Sequence, residues 1–317
     1  MDVLSMGETM VLFSPRSSGQ LRYETDFQAK VAGAETNTLI GLAKLGYKSS
    51  WISRVGDDEF GRKIIHAVRG EGIGTESVTI DDRYSTGLFF KEKTTEALTS
   101  VQYYRHQSAA SFLSVNDVEP VDVSRFQYVY LTGITPALSE TCADAVHALM
   151  RKAIAASVPV VFDPNIRKKL LHGEIGKQLM KDCMAASTIA LPGRQEGDYL
   201  FGTTNEKQIA EACMELGADT VVVKLGEDGA YFQTKIESGY VPAFSVRRVV
   251  DPVGAGDGFA AGLLAGLLEK KSIEESVKQG CAIGAIVTQV NGDIEGLPTR
   301  NQLTTFMEAD SADDVAR

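Results

Sequence analysis

From about residue 125 onward, short apolar runs alternate with longer stretches in which apolar residues return every three or four positions. The runs YVYLTG (128–133), PVVFDP (159–164), STIALP (187–192) and TVVVKLG (220–226) each end in turn residues, and the segments 139–157, 174–187 and 205–217 between them have helical spacing. Apolar strands separated by amphipathic helices predict an α/β fold with a mostly parallel sheet covered by helices. Ligands of such sheets gather at the carboxyl ends of the strands, where Gly133, Asp163, Pro192 and Gly226 fall.

The first third reads differently. After a strand VLSMGE (3–8), residues 10–32 show no helical period, and residues 84–104 alternate as a hairpin does. Two separated pieces of strand can form one small sheet. Between them ETNTLIGLAKLG (35–46) predicts a helix closed by Gly46, and FGRKIIHAVRGEG (60–72) predicts another. No internal repeat interrupts this order.

With 317 residues, 44% hydrophobic and 23% charged, the chain can bury a sizeable core in one large domain or two smaller ones. The net charge of −10 and the absence of any basic cluster longer than RKK at 167–169 argue against nucleic acid or an anionic membrane as partner. Any site for an acidic ligand must therefore be local. Cys142, Cys183, Cys213 and Cys281 are far apart, which suggests neither a disulfide framework nor a zinc site. No basic leader region and no apolar run of membrane-spanning length is present, so a cytoplasmic location is expected.

The chemistry concentrates in DPVGAGDGFAAGLLAGLL (251–268). Phe259, Ala260, Leu263, Leu264, Leu267 and Leu268 fall on one helical face, and the preceding FSVRRVVDP (244–252) carries strand-like β-branched residues. The glycines thus sit where a strand or loop becomes a helix. Helix-first amides lack partners and carry the positive end of the dipole, so glycines there make an anion cradle. Asp257 beside a bound phosphate is tolerable if it takes a proton from an attacking hydroxyl, which predicts a kinase. The competing explanation is a tight helix contact with Asp257 as a plain cap. A P-loop is not matched, since no Gly-Lys-Ser/Thr follows, nor is the dinucleotide pattern, which needs Gly where Phe259 stands.

Taken together, VAGAETNTLIGLAKLG (31–46), SRVGDDEFGRKI (53–64) and DPVGAGDGFAAGLLAGLL resemble, in order and separation, the two signatures of the ribokinase-like PfkB family of carbohydrate kinases. The resemblance spans nearly the whole chain. It implies a single ribokinase-like domain over 1–317 with a small β-sheet lid from about 10–32 and 84–112. It makes Asp257 the base, and the amides of Gly254, Ala255 and Gly256 the hole for the transferring phosphoryl group. In VVVKLGEDGAYF (221–232), Lys224, Gly226 and Gly229 would serve the nucleotide, although those glycines alone also fit a hairpin turn. ATP is the implied co-substrate with Mg²⁺, and a monovalent cation is compatible. The family's Asn-x-x-Glu is GRQE (193–196) here, so an indirect metal role rests on Glu196 with Gly193 in place of Asn.

Within the family the chain most resembles 2-keto-3-deoxygluconate kinases, then fructokinases. Leu12 stands where polyol kinases place an Asp to grip ring hydroxyls, and a 3-deoxy acceptor lacks one of these. Tyr103, Arg105 and Arg167 would suit a substrate carboxylate, with Gly33 and Asn37 at hydroxyls and Ile134 as an apolar wall. A sugar acid is therefore the expected acceptor. His106 has no paired acid or cysteine nearby in sequence and is no catalytic candidate, while Asp163 either approaches a metal or caps its turn. A nucleoside kinase would lack the arginines, and a non-catalytic sugar sensor would have lost Asp257 or the cradle. Apolar strand faces on the small sheet predict a homo-oligomer.

Overall fold

The computed structural model describes all residues except 96–97, 172 and 316–317. Thirteen strands run in chain order: β1 Val3–Met6, β2 Met10–Pro15, β3 Phe27–Ala32, β4 Ser49–Gly56, β5 Gly74–Asp81, β6 Leu88–Thr95, β7 Leu98–Tyr104, β8 Tyr128–Thr132, β9 Val160–Asp163, β10 Ile189–Ala190, β11 Thr220–Lys224, β12 Ala230–Thr234 and β13 Ser238–Val241. Nine form one sheet in the order β13-β12-β11-β10-β9-β8-β1-β4-β5, and the other four form a separate sheet in the order β3-β2-β6-β7. In the large sheet every pairing is parallel except those of the β11–β12–β13 edge.

The helices are α1 Ala34–Lys44, α2 Glu59–Gly70, α3 Val115–Val118, α4 Glu140–Ala155, α5 Gly173–Ala185, α6 Arg194–Phe201, α7 Glu206–Leu216, α8 Ala255–Leu268, α9 Ile273–Val287 and α10 Arg300–Val315. They cover both faces of the large sheet. On one face Leu39 of α1, Ile64 of α2, Leu263 of α8 and Ile283 of α9 pack with Val3, Val161 and Val222. On the other, Leu149 of α4, Met180 of α5 and Ile209 of α7 pack with Leu4, Phe162 and Val221. Alternate residues of a strand thus enter opposite core layers, which is why these strands are apolar throughout. Side chains cap the helices where the sequence supplies them: Ser139 Oγ accepts from Cys142 N (3.1 Å) and Asp58 Oδ1 from Gly61 N (2.8 Å).

Helices α8 and α9 meet through glycine. A Cβ on Gly262 would lie 2.6 Å from the Gln279 carbonyl, and one on Gly266 2.6 Å from Ser276 Cα, so backbone packs on backbone. The GLLAGLL spacing is therefore a contact seam as well as an apolar face.

One sequence expectation fails here. The segment 244–252 belongs to no strand, although its β-branched residues suggested one. Val249 and Val250 are 55% and 50% exposed beyond the sheet edge, and the amides of Val250 and Asp251 both donate to Thr288 O (2.7 and 3.2 Å) rather than to a neighbouring strand. Strands β4, β5 and β13 were not foreseen. The expected hairpin at 84–104 is β6–β7, and residues 96–97 between these strands lie outside the described residues. Past Tyr104 the chain leaves the small sheet, and Ala109 and Ala110 are buried.

Candidate active site

Helix α8 begins on Gly254, whose φ of +81° and closeness to Asp293 (an added Cβ would meet its carbonyl at 2.6 Å) leave glycine as the residue that fits. Ala255 N makes a long bond to Pro252 O (3.3 Å), while the amides of Gly254 and Gly256 have no acceptor among the described residues. A Cβ on Gly256 would meet nothing within 4 Å, so this residue is not packed; it borders open space. That space is two cavities. One, about 530 Å³, is lined by Gly226, Gly229, Phe244, Val246, Phe259 and Thr288 among others. The second, about 430 Å³, lies beneath the inner face of the small sheet. Pro252, Gly256 and Lys224 line both, so the cavities meet at the start of α8.

Asp257 opens into the second cavity and is only 8% exposed. Asn37 Nδ2 donates to its Oδ2 at 2.7 Å, and Gly33 N in turn donates to Asn37 Oδ1 at 3.4 Å. Burial pushes the Asp257 carboxyl up to about 8 against the Asn37 bond; Asp163 and Asp293 add to the rise and Arg167 opposes it. A carboxyl held that high is protonated at neutral pH, and as a base it would have to lose that proton first. Activity measured as kcat/KM should therefore climb about tenfold per unit below pH 8 and level above it. A profile that is flat from pH 6 to 9 would remove Asp257 as the titrating base.

All the sequence-predicted acceptor residues converge on this second cavity. Gly33, Asn37, Tyr103, Arg105, Ile134, Arg167 and Asp257 all line it, with Leu12, Met10 and Phe89 as its apolar roof. The two arginines differ, however. Arg105 is buried and paired with Glu8 (Nη2–Oε2 2.5 Å), whose other oxygen accepts from Ser108 Oγ (2.5 Å). Its guanidinium lies 5.5 Å from the Tyr103 ring centre, and its Nε is buried without a partner. Arg167 is exposed at the cavity wall and forms no ion pair among the described residues, which leaves it the uncompensated cation of the pair.

Below them, Asp163 at the end of β9 accepts from Lys224 Nζ at the end of β11 (2.6 Å). Burial works against the Lys224 ammonium, but Asp163 and Glu196 outweigh it and the net shift is upward. Glu196 accepts from Gly193 N (2.6 Å) and Ile166 N (2.8 Å), so it starts helix α6 and holds the turn that carries Arg167. Burial raises its carboxyl. The Gly193 position has room, since an added Cβ would meet Glu196 Oε2 at 3.4 Å.

Gly226 and Gly229, with φ of +66° and +95°, form the β11–β12 hairpin turn and also line the first cavity. His106 lies on the surface outside both cavities. Sequence reasoning missed Glu8, Lys91, Asp251 and Asp293. An acid at position 8, directly after an apolar strand, was the available signal for the first.

A family model described as pfkB family carbohydrate kinase matches residues 1–300. The 2-dehydro-3-deoxygluconokinase of Bacillus subtilis (strain 168) is 37% identical over 311 residues, covering 98% of this chain and 96% of its own length. That of Thermoproteus tenax is 32% identical over 311 residues, covering 97% and 94%. Among solved structures, the PfkB protein from Polaromonas sp. JS666 has a TM-score of 0.87 at 39% identity, covering 96% of this chain and 99% of that one.

Proposed function

Because the chain belongs to the pfkB family of carbohydrate kinases, and is therefore an ATP-dependent sugar kinase, we propose that its acceptor is the sugar acid 2-keto-3-deoxygluconate, phosphorylated at the 6-hydroxyl. The observation that carries the mechanism is the meeting of the two cavities at Pro252, Gly256 and Lys224, with Asp257 facing the acceptor side. In this reading ATP fills the first cavity and the sugar acid the second. The acceptor oxygen attacks the terminal phosphorus, the bond to the ADP oxygen breaks, and the hydroxyl proton passes to Asp257. The amides of Gly254, Ala255 and Gly256 receive the charge that builds on the phosphoryl oxygens; each such donor is typically worth about 3 kcal/mol.

Mg²⁺ bound with ATP would neutralise its phosphates. The residues beside Lys224 suit a water-mediated contact, because each Glu196 oxygen keeps a lone pair beyond its one backbone bond. Among the described residues no cluster of three or more His, Cys, Asp or Glu forms a direct metal cage. Whether a monovalent cation also takes part is read by running the assay with and without K⁺.

The choice of a sugar acid is supported by the names of the two relatives, by the unpaired Arg167, and by Leu12, which offers no partner to a ring hydroxyl. The small sheet acts as a lid that excludes water from the acceptor. On its outer side Phe13 stacks on Phe90 (5.0 Å between ring centres) and Tyr104 is 62% exposed, a face suited to pairing with a second copy of the chain in a cytoplasmic homo-oligomer.

A coupled ADP-release screen of 2-keto-3-deoxygluconate, 2-keto-3-deoxygalactonate, fructose, ribose and adenosine tests the assignment. Preference for fructose or adenosine would replace it with a fructokinase or nucleoside kinase, and no turnover of any would favour a sensor. Leu12→Asp is expected to lower kcat/KM for the acid at least tenfold by like-charge repulsion while fructose gains or is unchanged. An equal loss for both would mean that Leu12 merely packs.

A further inference from the structure

We propose that Lys91 is a positioning residue for phosphoryl transfer: it ties strand β6 of the small sheet to the loop that enters helix α8, so the phosphate cradle is held in its working geometry by the sheet over the acceptor. The inference rests on the cradle reading of Gly254–Gly256 given above. Lys91 Nζ reaches Asp251 Oδ2 at 2.7 Å, with both side chains at most 15% exposed. Asp251 stands three residues before Gly254, and its other oxygen accepts from Val253 N at 3.1 Å. The loop is pinned on its far side by Thr288 O, which accepts from the amides of both Val250 and Asp251. Lys91 is the contact that pins it from the sheet.

A second feature of the same place needs a cation. Asp293, whose carbonyl abuts Gly254, has Oδ1 buried with no hydrogen-bond partner. Burial raises its carboxyl, Lys91 opposes that rise, and Asp251 and Glu295 add to it. Removing Lys91 would take away the first of the two cations that act on Asp293 and leave Lys30, which is itself paired with Glu295 (2.7 Å) in a more exposed position. Losing one partner of a buried ion pair strands the other, and here the stranded carboxylate, Asp251, belongs to the segment that carries Gly254.

The full-length enzyme tests this with Lys91→Met and Lys91→Arg. Amide hydrogen exchange over residues 250–256, without ligands, should quicken about tenfold in Lys91→Met and return to within threefold of wild type in Lys91→Arg. Exchange unchanged in Lys91→Met overturns the proposal. With ATP, Mg²⁺ and 2-keto-3-deoxygluconate, kcat should fall about 10- to 100-fold with KM for the acid changed less than threefold. A rise in KM alone would mean that Lys91 merely touches the acceptor, and overturns the positioning role. Quickened exchange with kcat unaltered would keep the tie between sheet and loop but sink the cradle reading on which the kinetic role depends.

Discussion

Replacing Asp257 by Asn is expected to lower kcat by about 10²- to 10⁴-fold while ATP and acceptor still bind, since the base is lost and the cradle is not. The amide keeps the shape of the carboxylate, and its oxygen can still accept from Asn37 Nδ2, now 2.7 Å from Asp257 Oδ2. Steady-state kinetics with calorimetric binding of each ligand separates the two effects. Near-wild-type turnover would reduce Asp257 to the first-turn acid of α8. The same variant should be more stable than wild type at pH 8. With a folded-state pKa of about 8, Asp257 retains a proton that the unfolded chain releases from about pH 4 upward, so native stability falls across that window as pH rises. Asn has no such proton to lose. A thermal midpoint higher by roughly 10 °C at pH 8, and no gain at pH 4, is the expected pattern. Equal midpoints at pH 8 would mean that burial does not hold the carboxyl protonated.

The second large effect belongs to Arg167. Arg167→Ala should lower kcat/KM for 2-keto-3-deoxygluconate by about 30- to 1000-fold, equivalent to ~2–4 kcal/mol, because a carboxylate enclosed under the small sheet would lose its partner. Fructose carries no charge to strand and should lose less than about fivefold. Equal losses for acid and neutral sugar would remove the carboxylate argument and promote the fructokinase reading. Arg105 is a poorer probe of the same idea. Its guanidinium already faces Glu8 at 2.5 Å, so Arg105→Ala would leave a buried Glu8 unpaired and disturb the cavity before any substrate enters.

The difference between these arginines marks where sequence reading stops. Both stood in strings that suit a carboxylate, and both line the cavity, yet only the fold brings Glu8, far away in the chain, onto Arg105. The large sheet was legible where burial on both faces made strands uniformly apolar, as in TVVVKLG. It was not legible at β5, whose GTESVTID has mixed polarity at the open edge, nor at 244–252, where β-branched residues lie exposed in a loop. Local composition reports burial; it does not report whether a partner strand is present. The cradle and Asp257 could be read because helix-start chemistry is local. The carboxylates behind them, Asp251 and Asp293, could not, because their significance comes from meeting Lys91 across the chain.

The glycine seam between α8 and α9 bears on how such an enzyme diversifies. Where Gly262 and Gly266 bring backbone against backbone, no layer of side chains remains to change rotamer and let one helix slide on the other. The helix that carries Asp257 is thereby a fixed reference, while Leu12, Phe89 and Tyr103 line the second cavity from a different body, the four-stranded sheet. Substitutions at those three positions, unlike one at Lys91, should remodel the range of sugars accepted without re-tuning the phosphoryl-transfer end. Substitutions in the seam would disturb every sugar alike. Evolutionary change in specificity should therefore accumulate at the sheet residues that line the cavity and at Arg167, while α8 and α9 drift little.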